Sequence, residues 1–141
     1  MSQNLEVSAK LINDKVQFTG STRNNQPIQA DYFPPVGDGD GYTGLELLLM
    51  SLAVCSSTAI VFLFRQHKKE VKSFAVHASG IRTEELPKAF SKINLNFSME
   101  VPEADNVLIE KILKMTETNM CPVWAMIRNN VELEVSFENK G

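Results

Sequence analysis

Leu5, Val7, Ala9 and Leu11 alternate with polar residues, which predicts a strand over residues 4–12. Asn13-Asp14 marks a turn, and Val16 and Phe18 then share one face of a second strand over 15–21. Beyond Asn24-Asn25-Gln26-Pro27 a third strand fits residues 28–33, so the chain opens as an antiparallel meander. Pro34 to Gly41 is a loop of turn residues. Thr43-Gly44-Leu45-Glu46 follows, the pattern of a capping box with Thr43 as N-cap and Glu46 three residues on. A long, mostly apolar helix is predicted from there to about Lys68. Alternation returns at 71–82 (Phe74, Val76, Ala78) and at 90–101 (Ile93, Leu95, Phe97, Met99, Val101). Leu108, Ile112 and Met115 then define an amphipathic helix over 104–118. Cys121-Pro122 interrupts it, and Pro122 suits the first position of a short helix to about Arg128. Val131, Leu133, Val135 and Phe137 close the chain as a strand over 131–138.

The resulting order, βββ-α-ββ-α-β, defines an α+β chain read as one domain over residues 1–141, with no internal repeat. The central helix is too apolar to be covered by one thin sheet. It is expected to pack against its copy in a second chain, a homodimer with antiparallel sheets wrapping both helices. Leu45 to Phe64 is long enough to span a bilayer. Glu46, Ser51, Ser56, Ser57 and Thr58 within it point instead to a buried core helix, so no membrane partner is expected. A net charge of −3 with no basic block speaks against nucleic acid. Met1 to Lys10 lacks the charged-then-apolar pattern of a secretory leader. With two cysteines, that suggests a reducing compartment, the cytoplasm.

Those two cysteines carry the candidate chemistry. Cys55 lies in the middle of the long helix, and Ser51, Leu52, Thr58 and Ala59 share its face. Two of these neighbours bear hydroxyls that could support a thiolate, although a helical cysteine among Leu and Val also reads as a small core residue. Cys121 precedes Pro122 at a helix start, where it is an expected N-cap and the helix dipole would lower its pKa. Only tertiary folding could bring the two sulfurs together. His67 and His77 do not give zinc-ligand spacing with the cysteines, and the Asp38/Asp40 loop is too short for a calcium site, so no metal is expected.

The stretch G-Y-T-G-L-E-L-L-L-M-S-L-A-V-C-S-S-T (Gly41–Thr58), with M-C-P-V-W-A (Met120–Ala125) after a strand pair, resembles the OsmC/Ohr family of osmotically inducible and organic hydroperoxide resistance proteins. The segment from Arg82 to Phe97 is similar to its YhfA-like branch. The resemblance covers residues 15–138. It implies an OsmC-like fold, an intertwined homodimer, and a peroxidase that needs no metal, flavin or other cofactor. Cys55 would attack an organic hydroperoxide and become a sulfenic acid. Cys121 would condense with it to a disulfide, and a dithiol reductant would reset the pair. The resemblance also implies a site arginine held by an acid at the helix start. Glu46 is the acid, and Arg82 is the candidate arginine, with Arg23 as the alternative. Glu46 and Cys55 face opposite sides of a straight helix. Ala53-Val54 stands where a small pair is usual, Ala59 where an acid is often found, and Trp124 where serine is frequent.

Three functions follow as alternatives. The first is the organic hydroperoxide peroxidase, with Leu52, Phe62, Met120 and Trp124 (and Leu48) as an apolar substrate lining. The second is a non-catalytic dimeric binding protein for a small apolar molecule. The third is a hot-dog-type thioesterase using Glu46, against which the separate second helix and the C-P-V segment argue.

Overall fold

A computed structural model describes residues 4–141, so the first three positions of the polar N-terminal stretch lie outside the described residues. The chain divides after Leu48 into two compact units. The first holds β1 (Ser8–Leu11), β2 (Phe18–Ser21) and β3 (Ile28–Ala30), paired antiparallel in that order as the alternation predicts. The strands are shorter than expected, covering only the paired centres of the predicted segments. Their register sets Leu11, Phe18 and Ala30 in one cross-strand row and Ala9, Gly20 and Ile28 in the next. Successive side chains alternate between faces, so these six residues share one apolar face. Leu11, Phe18 and Ile28 remain exposed on it.

The loop after β3 is organised by Asp31, which is buried. Its carboxylate accepts backbone N–H groups from Tyr32 (2.7 Å), Asp38 (3.2 Å) and Asp40 (3.0 Å). Gly37 is required here, because a Cβ would collide with the Asp31 carboxylate and the Tyr32 carbonyl. Asp31, Asp38 and Asp40 bring carboxylate oxygens within 4.8 Å of one another. Backbone donors already occupy the Asp31 carboxylate, and Lys15 pairs with Asp38 at 2.6 Å. The group is a loop brace.

Helix α1 (Gly44–Gln66) starts in the predicted capping box. The Thr43 N–H donates to Glu46 Oε1 at 2.9 Å, and the Glu46 N–H donates to Thr43 Oγ1 at 3.2 Å. Its end is closed by the Lys69 N–H on the Phe64 carbonyl, with Lys68 left-handed at φ +61°. By length and apolarity α1 could cross a bilayer. Here Leu52, Ala53, Ser56, Ala59, Ile60, Leu63 and Phe64 are buried within the second unit.

The second unit is built on β4 (Ser73–Arg82), β5 (Phe90–Glu100) and β6 (Glu132–Asn139), in that order. Register stacks Phe74 with Met99, Val76 with Phe97 and Phe137, Ala78 with Leu95 and Val135, and Gly80 with Ile93 and Leu133. All lie on one face, and Ile93, Leu95, Phe97 and Met99 are its buried centre. The other face is polar, with Lys92 between Glu132 and Glu134. Side chains of α1 and β4 line one shared cleft, and those of α2 (Asn106–Met115) and β6 line another.

Two expectations are corrected. The sheets are not all antiparallel: β6 runs parallel to β5. Parallel neighbours cannot be joined by a hairpin and need a crossover of a dozen or more residues. The helical segment after β5 is that crossover. It is not one helix over 104–118 either. Helix α2 ends at Met115, a π-helical turn follows at Thr116–Met120, and α3 is Pro122–Ile127.

Two stability outcomes follow. Thr43→Ala is expected to cost about 1 kcal/mol in urea unfolding, the usual worth of an N-cap. The backbone donor from Asp40 leads the effects that hold Asp31 below its ordinary carboxylate pKa of 3.8. Its contribution is therefore full above that value and lost as pH falls through the lower folded value. Asp31→Asn is expected to flatten the acid limb of a stability–pH curve measured by circular dichroism.

Candidate active site

Cys55 and Cys121 are 66 positions apart in sequence, yet the fold brings their thiols within interaction range in the second unit. Both are free. Cys55 is half-buried at the middle of α1, and Cys121 is 2% exposed.

The setting of Cys55 differs in part from the sequence reading. The Thr58 hydroxyl donates to the Val54 carbonyl at 2.8 Å, so its proton is spent on the helix backbone and not on a thiolate. Leu52 is fully buried and belongs to the core, not to a substrate lining.

Cys121 is the N-cap of α3, as the Cys-Pro pair predicts. Its φ and ψ are −91° and 108°, Pro122 opens the helix, and Sγ accepts the Trp124 N–H at 3.4 Å. The expected consequence for acidity is reversed. Burial pushes the thiol up from 9.0 to about 11. The N–H donors of Trp124 and Val123 oppose this, while the neighbouring Cys55 adds to it through a hydrogen bond and its charge. Desolvation of a thiolate at this depth outweighs what a six-residue helix start supplies.

The remaining predicted residues fall in separate places. Glu46 sits in the capping box, where one carboxylate oxygen holds the Thr43 N–H. Arg82 ends β4 at a register shift, is exposed, and donates Nε to the Lys88 carbonyl at 2.7 Å, closing its own hairpin. Arg23 is exposed in a turn with φ +53°. Phe62 is 49% exposed and walls a cleft of about 660 Å³ with Val54, Val61, Phe74 and Val76. Met120 is exposed at the end of the π turn. Trp124 is buried, and its backbone caps Cys121 while its side chain helps line a smaller cleft with Val135 and Phe137.

Sequence reasoning missed two residues of the larger cleft. Ser57 Oγ is buried there with no partner, and Arg65 lies at its edge. Ser57 is one of several small polar residues in an apolar helix, and nothing in the sequence pattern singles out Arg65 near the helix end. The π turn was also missed: Thr116, Thr118 and Asn119 weaken the helical pattern after Met115, but residue type alone does not specify a hydrogen bond five residues back.

Two neighbouring free thiols, one at mid-helix and one capping a helix of the crossover, sit in a chain of mixed α+β fold. The OsmC-like protein model matches residues 37–136, and the chain belongs to that family. It is 24% identical over 94 residues to Protein YhfA of Escherichia coli, covering 67% of this chain and 70% of that one. A hypothetical protein from Aquifex aeolicus superposes with a TM-score of 0.84 at 26% identity, over 99% of this chain and 98% of the other. An organic hydroperoxide resistance protein OsmC from Legionella pneumophila superposes with a TM-score of 0.74 at 15% identity, over 96% and 97%.

The shift at Cys121 has a direct readout. In protein labelled with ¹³C at cysteine Cβ, the Cys121 resonance is expected to titrate near pH 11. In Cys55→Ala the midpoint moves down, because both influences of Cys55 raise it.

Proposed function

We propose that the chain is a thiol-dependent peroxidase for organic hydroperoxides. The observation that carries this is the buried, protonated Cys121 thiol set beside Cys55. A peroxidatic cycle needs one sulfur that meets substrate and a second that waits without competing for it. Half-buried Cys55 suits the first role. The Cys55 thiolate attacks one peroxide oxygen, the O–O bond breaks, and the alkoxide leaves as alcohol after taking a proton. Cys55 is then a sulfenic acid. The Cys121 sulfur attacks the Cys55 sulfur, the S–O bond breaks, and the Cys121 proton leaves with the hydroxyl as water. An external dithiol returns both sulfurs to thiols by exchange. A reducing compartment such as the cytoplasm would keep the pair ready.

Glu46 and Arg82 already have structural work, at the start of α1 and in the β4–β5 hairpin. The reading therefore rests on the two sulfurs. The homodimer remains part of it: a second copy would cover Leu11, Phe18 and Ile28 of the first sheet and Met50, Val54 and Phe62 of α1, all exposed in one chain. A second reading, a binding protein for a small apolar molecule, is favoured by the apolar cleft beside Phe62 with its unpartnered Ser57 hydroxyl.

Mass measurement of the reduced protein with one equivalent of cumene hydroperoxide separates the two readings. Loss of both thiols with a decrease of two protons is expected, and Cys55→Ser abolishes it. Survival of both thiols in excess peroxide would refute the peroxidase and leave the binding reading.

A further inference from the structure

The π turn between α2 and α3 occupies the five residues before Cys121, and the amide of Cys121 closes it. The Cys121 N–H donates to the Thr116 carbonyl at 3.0 Å, five residues back instead of the four of an α-helix. The base of the turn is fixed. Thr116 is fully buried, and its hydroxyl donates to the Ile112 carbonyl at 2.8 Å. On the far side, buried Trp124 anchors α3. Between these anchors Thr118, Asn119 and Met120 are exposed. The turn thus holds one residue more than an α-helix needs, placed between two buried ends.

A disulfide asks for movement here. The sulfurs must come to about 2 Å, well inside the contact distance of two separate thiols. Cys55 lies mid-way along a 23-residue helix that is hydrogen-bonded on both sides of it. Cys121 is the sulfur that can travel, and it cannot travel far as a side chain alone. Its Sγ is held by the Trp124 N–H, and its own N–H is held by Thr116.

We propose that the π turn Thr116–Met120 is a positioning element for Cys121: its extra residue is slack that the backbone takes up when Cys121 closes onto Cys55, and Thr116 is the fixed point against which it moves. This deepens the peroxidase reading and rests on it for its purpose, though the first of its two tests does not. On closure the Thr116–Cys121 hydrogen bond opens while α2 stays in place.

The wild-type protein is oxidised with diamide, an azo compound whose N=N bond takes the two electrons and two protons of the thiol pair. No peroxide is involved, so failure of the peroxidase reading leaves this experiment intact. Hydrogen exchange is then compared between the reduced and disulfide forms. Protection of the Cys121 amide is expected to fall about tenfold or more while the Ile112 and Leu113 amides hold within about twofold. Unchanged protection at Cys121, or failure of diamide to join the two cysteines, would overturn the proposal.

A second variant separates positioning from folding. Deleting Asn119 restores four-residue spacing and rotates the thiol away. With peroxide, capture of Cys55 sulfenic acid by dimedone is expected to rise, because disulfide closure slows by about tenfold or more. The rate of Cys55 oxidation stays within about twofold. Closure at the wild-type rate in the folded variant would also overturn the proposal. If the variant does not fold, exchange in the wild-type protein decides.

Discussion

The parallel pairing of β6 with β5 is the constraint from which the rest of the second unit follows. Two parallel neighbours cannot be joined by a tight turn, so the chain must leave the end of β5 and return to the start of β6. The apolar face of the sheet has to be covered; Ile109, Ile112 and Trp124 of the crossover are buried, and Trp124 lines a cleft with Val135 and Phe137 of that face. Helix α1 shares a cleft with β4, on the other flank of β5. Cys121 rides on the crossover and Cys55 on α1. Their meeting is a by-product of covering one face of one sheet, and it needs no local motif.

The chemistry of the pair is set by the same burial. A cysteine at a helix start is usually read as acidic, because backbone donors converge on the sulfur. Those donors are present at Cys121, yet the thiol is pushed up because the site is nearly dry and already holds another sulfur. The helix start supplies geometry here, and depth decides protonation. That arrangement keeps the Cys121 thiol protonated near neutral pH.

Much of the architecture was legible in the alternation and capping patterns. The strand at 90–100 announced itself because every second residue had to be buried, and Thr43/Glu46 announced the helix start because the reciprocal hydrogen bonds require those two residue types. The N-cap role of Cys121 was legible from Pro122 for the same local reason. What could not be read depends on contacts distant in sequence. Strand alternation is identical for parallel and antiparallel partners, so the direction of β6 left no trace. The π turn is defined by the Cys121 N–H reaching back to the carbonyl of buried Thr116, a spacing that residue type alone does not announce. Thr58 looked available to Cys55, but in a helix a threonine hydroxyl readily turns back to the carbonyl four residues earlier. Arg82 and Leu52 were placed at the site by resemblance and by helix face, and tertiary packing gave one to a hairpin and the other to the core.

The bond from the Trp124 amide to the Cys121 sulfur has an optical consequence. Trp124 is the chain's single tryptophan, so all indole emission comes from a residue whose own backbone is tied to that sulfur. Any change that pulls the sulfur from its cap disturbs the surroundings of the only strong fluorophore in the molecule. The position of that sulfur can thus be followed in a cuvette by intrinsic emission, with no label attached.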